Sequence, residues 1–143
     1  MKFSTRTRYG IRTMLEIGLN YEKGGILQKD ISANQEISYR TLDHLIHALK
    51  TADLIMNAQG KSSGYTLTRH PSQINMLEIQ KALEPSICIV DCLSIHFLCD
   101  RSEECTAKGF WGELNNQIIT YFKGVTLQDM VSDQRKRLSV KRN

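Results

Sequence analysis

The chain has 143 residues, of which 41% are hydrophobic and 24% charged, and a formal net charge of +4, which suits one globular domain with or without an appended oligomerisation element. No apolar run approaches the roughly 18 residues of a membrane span. Glu16 interrupts the basic opening before the apolar core of a signal peptide can form, and four cysteines are too few for a disulfide scaffold, so a cytoplasmic protein with reduced thiols or bound metal is expected.

The charges are unevenly placed. Lys2, Arg6, Arg8 and Arg12 crowd the beginning with no acid before Glu16, and Arg135, Lys136, Arg137, Lys141 and Arg142 crowd the end. Phosphate contact requires such a basic patch, and a merely solvated face has the same composition.

Residues 4–21 are predicted to be a helix, because Ile11, Met14, Leu15, Gly18 and Leu19 fall on one helical face and Ser4 or Thr5 can cap it. Gly24 and Gly25 turn the chain. A short helix is expected over 28–34 with Ile31 inward, then a turn over 35–37. Ser38 is a good N-cap for a helix reaching about Thr51, with Leu42, Leu45, Ile46 and Leu49 as its buried stripe. Its other face carries Tyr39, Arg40, Asp43, His44, His47 and Lys50. Two short helices around a tight turn, the second polar and cationic outside, form the helix-turn-helix pattern, whose second helix can offer hydrogen-bonding groups to base edges in a major groove. Any small helical hairpin would share part of this pattern.

Leu54, Ile55 and Met56 read as a strand, 57–64 as a turn rich in Gly and Ser, and Tyr65, Thr66 and Leu67 as the return strand. A hairpin directly after a recognition helix is a wing, and its tip, Gln59 to Ser63, can reach a minor groove or phosphates. Ser38, Tyr39, Arg40, Thr41, Asp43 and His44 are expected to face the major groove, Gln59 and Lys61 to lie on the wing, and Lys2, Arg6 and Arg8 to steady phosphates.

A joint at His70 and Pro71 precedes a helix over 75–83 that Pro85 stops. Residues 86–108 show no clean period, hold all four cysteines and read mostly as a loop. A helix then runs from near Cys105 to Gly124, with Trp111, Leu114, Ile118, Tyr121 and Phe122 as a broad apolar stripe. It either crosses to a partner subunit or packs on its own core; paired DNA half-sites require a dimer. Thr126 and Asp129 resemble a capping box for a short last helix with Leu127, Met130 and Val131, after which a basic tail is expected to fray. The expected fold is mainly α with a small β-wing, a winged helix-turn-helix plus a long C-terminal dimerisation helix. It divides into a DNA-binding unit (1–83), a cysteine loop (84–108), a dimerisation helix and last helix (109–133) and a flexible tail (134–143).

Cys92, Cys99 and Cys105 are separated by six and five residues, and Cys88 precedes them. Without a C-x2-C pair this is not zinc-finger spacing. Three thiolates on one loop suit a soft metal or an iron–sulfur cluster. A thiol redox switch and four unconnected cysteines remain alternatives. Absent a C-x-x-C, a glycine-rich phosphate loop or carboxylates paired for acid–base work, an enzyme is not expected.

In order along the chain, MKFSTRTRYGIRTMLEIGLN, ISYRTLDHLIHALKTADLI, QGKSSGYTLTRHPSQINMLEI, DCLSIHFLCDRSEECTAKGFW and ITYFKGVTLQDMV resemble the first helix, recognition helix, wing, cluster loop and end of the IscR/NsrR/CymR family of bacterial winged-helix regulators, over about residues 1–133. The resemblance implies a homodimer on an operator, acting as repressor or dual regulator. It also implies a [2Fe-2S] or [4Fe-4S] cluster held by Cys92, Cys99 and Cys105 that reports cluster supply, iron, nitric oxide or redox state. A cluster-free regulator answering to a protein partner or a thiol signal is the alternative within the same family. Four positions depart from the pattern. Lys108 stands where IscR-like members have a ligating His, and Arg8 where NsrR-like members have an acid. Asp43 replaces a base-reading Glu, and Gln59 replaces a wing Arg. Cys88, His96, Asp100, Glu104 or a small molecule are left as fourth ligands.

Overall fold

A computed structural model describes residues 2–60 and 64–143. The described residues form six α-helices and one two-stranded antiparallel sheet, the mainly helical winged architecture expected.

Helix α1 (Thr5–Leu19) is capped by Ser4, whose hydroxyl accepts from the Thr7 amide at 3.1 Å. Its inward side differs from the predicted stripe. Thr7, Gly10, Thr13, Met14, Glu16, Ile17 and Gly18 are buried, while Ile11, Leu15 and Leu19 are only partly so. The reason is position: α1 touches four other helices and is enclosed on more than one side, so its small residues become contact points. A side chain at Gly10 would collide with Leu83 of the fourth helix. The helix ends two residues early, and Tyr21–Lys23 form a 3-10 turn.

Helices α2 (Gln28–Gln35) and α3 (Tyr39–Thr51) are joined through Glu36, whose φ of 52° makes the tight turn. Ile31 is fully buried, and α3 buries the predicted Leu42, Leu45, Ile46 and Leu49. Strand β1 (Ile55–Asn57) lies one residue later than predicted and pairs with β2 (Tyr65–Leu67), Met56 opposite Thr66. Tyr65 also exchanges both backbone hydrogen bonds with Ile26, at 3.0 and 2.9 Å, so the segment before α2 flanks the hairpin. Lys61, Ser62 and Ser63 of the expected wing tip lie outside the described residues.

Helix α4 (Met76–Leu83) starts at a reciprocal capping box between Asn75 and Glu78. Helices α5 (Thr106–Gly124) and α6 (Leu127–Lys141) follow the cysteine segment. The start of α6 is pinned beside the start of α4 by Met76 N–H donating to the Val125 carbonyl at 2.9 Å and Leu127 N–H to the Ile74 carbonyl at 2.8 Å. The predicted Thr126–Asp129 capping box is present. The expectation of a fraying tail after Asp133 is corrected, because α6 continues to Lys141. The cap and the buried Leu127 and Val131 nucleate the helix, Asp133 and Arg137 pair one turn apart at 2.8 Å, and Arg and Lys propagate helix well. No described helix is long and apolar enough to cross a membrane.

Candidate nucleic-acid interface and cysteine loop

The core side of α3 fixes its outer side. With four leucine and isoleucine side chains buried at helical spacing, Tyr39, Arg40, Asp43, His44, His47 and Lys50 are left exposed together. Ser38 and Thr41 are already engaged. The Ser38 hydroxyl accepts from the Thr41 amide at 3.2 Å and donates to the Thr41 hydroxyl at 2.9 Å, which makes both a cap before they are anything else. Asp43 accepts from Gln28 Nε2 at 2.7 Å, a bond that crosses from α2 to α3.

The hairpin is tied to α3. Lys50 Nζ donates to Asn57 Oδ1 of β1 at 2.9 Å and sits 5.6 Å from the centre of the Tyr65 ring of β2. Gln59 is exposed on the hairpin, as is Met56 of β1. Helix and wing are therefore held at a set distance by a cation that spends its charge within the protein. Nothing in the local sequence marks Gln28, Asn57 and Tyr65 as partners of this face. Their roles depend on which residue of another element they meet, which no local pattern encodes.

Of the basic residues near the start, Lys2 is exposed. Arg6 donates from Nε to the Leu83 carbonyl at 2.7 Å and closes the end of α4, and Arg8 donates to the Thr5 hydroxyl at 3.2 Å.

The cysteine segment is anchored by Asn115, the buried residue of α5. Its Oδ1 accepts from the Ile89 amide at 3.1 Å and its Nδ2 donates to the Ile87 carbonyl at 2.9 Å. Cys92 lies half-buried in a 3-10 turn, Asp91–Leu93; Cys99 and Cys105 are exposed, with Cys105 at the start of α5; Cys88 is exposed. All four thiols are free, and among the described residues no three His, Cys, Asp or Glu side chains converge as a metal-holding group. Lys108 Nζ donates to the Ser102 hydroxyl, which turns it back into this segment.

Comparison with known proteins decides the family. The family model described as Rrf2, an iron-dependent transcriptional regulator, matches residues 3–133. The chain belongs to the Rrf2 family. The protein rrf2 of Nitratidesulfovibrio vulgaris is 32% identical over 93% of this chain and 89% of its own length. The transcriptional regulator IscR of Escherichia coli is 28% identical over 94% and 82%. Among solved structures, CymR, the global cysteine regulator of B. subtilis, superposes with a TM-score of 0.79 at 26% identity, covering 92% of this chain and 97% of that one. IscR of T. potens gives 0.77 at 28%, covering 94% and 88%. These relatives are winged-helix transcription regulators rather than enzymes, so this Rrf2-family chain is a transcriptional regulator.

Proposed function

We propose that the protein is a homodimeric, sequence-specific DNA-binding regulator that reads an operator with α3 and its wing and senses iron–sulfur or redox status through Cys92, Cys99 and Cys105. The observation that carries the DNA-reading half is the exposed polar face of α3, locked to the hairpin through Lys50 and Asn57. Tyr39, Arg40, Asp43 and His44 face base edges, Gln59 of the wing lies against the adjoining groove or phosphates, Lys61, outside the described residues, is assigned to the same contact, and Lys2 contributes positive charge. Ser38, Thr41, Arg6 and Arg8 serve mainly to shape and hold the reading unit. Action on DNA supports a location in the bacterial cytoplasm.

The dimer rests on α5. Phe110, Trp111, Leu114 and Tyr121 are 61%, 37%, 41% and 72% exposed, an apolar face that a lone chain leaves in water. Pairing it with a second copy would set two reading helices on successive half-sites.

The thiol donors of the cysteine segment fit an iron–sulfur cluster in chemistry, although a single chain does not bring them together. When bound, the cluster would supply a centre sensitive to redox state and nitric oxide. The chain's part is to present Cys105 from the N-cap of α5 and Cys92 from a turn that packs on it. Reordering of residues 84–108 then reaches the dimer helix directly, which is how cluster status would shift the population of DNA-competent dimers. The likeness to CymR supports a second reading in which the same dimer works without a cluster and answers to a thiol signal or protein partner.

Anaerobic purification with iron and sulfide analysis, visible absorption and Mössbauer spectra separates these readings. A coloured protein with stoichiometric iron supports the cluster, and a Cys92→Ser/Cys99→Ser/Cys105→Ser variant should then lose colour. A colourless protein that cannot be reconstituted overturns the cluster and leaves DNA reading intact. Failure to enrich any sequence from random duplex DNA, with or without a cluster, overturns DNA reading.

A further inference from the structure

We infer that Gln28 is a specificity-determining residue that acts through Asp43: by pinning the carboxylate it fixes which bases the recognition helix accepts. The inference rests on the reading of α3 as the DNA-reading helix.

Gln28 opens α2, and its side chain leaves its own helix to reach α3. Nε2 donates to Asp43 Oδ1 at 2.7 Å, and the Tyr39 carbonyl lies 3.4 Å from the same nitrogen. The amide therefore bridges two points one turn apart on the outer side of α3. Asp43 is exposed, and this is the side-chain bond that orients it. An ionised carboxylate only accepts hydrogen bonds, so with Oδ1 committed to Gln28 its free lone pairs are aimed outward from one fixed position.

That changes what Asp43 can tolerate. Cytosine N4 and adenine N6 present donors in the major groove, whereas guanine O6 and thymine O4 present acceptors. A free Asp side chain can rotate away from an acceptor and let the wrong base pass at little cost. A pinned one cannot retreat without breaking a charge-assisted hydrogen bond, so guanine or thymine at that position meets a held negative charge. Because Gln28 is neutral, it imposes this selection without removing the charge it orients.

The test is selection of random-sequence duplex DNA by the full-length protein, followed by affinities for the selected site and for every single-base change in it, with urea unfolding run in parallel. Gln28→Leu keeps a similar volume and removes the donor. It should leave affinity for unselected duplex DNA unchanged and lower the unfolding midpoint only by the loss of one exposed side-chain hydrogen bond, while discrimination against guanine and thymine at one position falls roughly fivefold or more. In an Asp43→Ala background, Gln28→Leu should have no further effect on the base profile. An unchanged base profile for Gln28→Leu overturns the inference, and so does an equal loss with or without Asp43, which would make Gln28 a direct contact. Arg40→Ala/His44→Ala serves as the parent control. If that variant binds selected DNA as well as wild type does, the reading of α3 falls and takes the Gln28 role with it. If it fails to bind while the Gln28 profile is flat, only the Gln28 role falls.

Discussion

Glu16, buried in the last turn of α1, accepts a hydrogen bond from Asn34 Nδ2 at the end of α2, at 2.8 Å. Its second oxygen accepts from Gln35 Nε2 at 2.7 Å, and Arg12 Nε donates to Gln35 Oε1 at 3.0 Å. A charged acceptor thus clamps the first helix of the reading motif to the core helix. Glu16→Ala should cost about 1.5–3 kcal/mol in urea unfolding, since two donors lose a charged partner. A loss below measurement error would show that solvent replaces the clamp.

Gly64 sets the wing against the segment before α2. Its φ is 70°, and a Cβ there would strike the Ile26 carbonyl, which accepts from Tyr65 at 2.9 Å. Gly64→Ala should therefore lose about 1–3 kcal/mol of stability. It should also speed hydrogen exchange at the Tyr65 amide and weaken DNA binding. Unchanged exchange would show that the hairpin shifts without releasing Ile26.

Arg6 closes α4 through the Leu83 carbonyl. Arg6→Ala is expected to lower stability by about 1 kcal/mol. The slope of log affinity against log salt should stay as in wild type, where loss of a phosphate contact would change it by roughly 0.9. A slope change of that size would return Arg6 to the DNA-facing set.

Asp129 caps α6. Hydrogen bonding from the Thr126 backbone, and then from its side chain, holds the Asp129 carboxyl below the ordinary aspartate value. A lowered folded value means the stabilisation is complete above about pH 4 and disappears as pH falls through the folded value. The stability gap between wild type and Asp129→Ala should stay constant from neutral pH down to that point and close below it. A gap that persists in strong acid would assign the effect to something other than the charge.

The exposed side of α5 predicts that Leu114→Glu/Tyr121→Glu breaks the proposed dimer. Tyr121 is largely in water and Leu114 is exposed in a single chain, so the fold should survive while sedimentation shows a dimer dissociation constant raised at least tenfold, about 1.4 kcal/mol. A variant that sediments as the wild type does would move the dimer interface elsewhere.

Local chemistry was enough to read the helices, the caps and the hairpin. Ser38, the Leu42-to-Leu49 stripe, Tyr65 to Leu67 and the Thr126–Asp129 box need only their near neighbours in sequence, and the structure has them as read. The inward side of α1 departs from its apolar periodicity because a helix enclosed by four others has no single apolar stripe. The last helix was cut short because helix propagation past Asp133 depends on a nucleus fixed by packing. For the candidate site, the residue types on α3 were legible and their partners were not. Whether Arg6 meets phosphate or Leu83, whether Asp43 is free or held by Gln28, and whether Asn115 is a stray polar residue or the anchor of the cysteine segment are contacts across 15 to 77 positions of sequence. Periodicity and capping act within a turn or two, so the sequence alone determined a winged-helix regulator with a cysteine loop. Only the tertiary structure decided which of its charged and polar groups bond to other parts of the chain and which stand exposed.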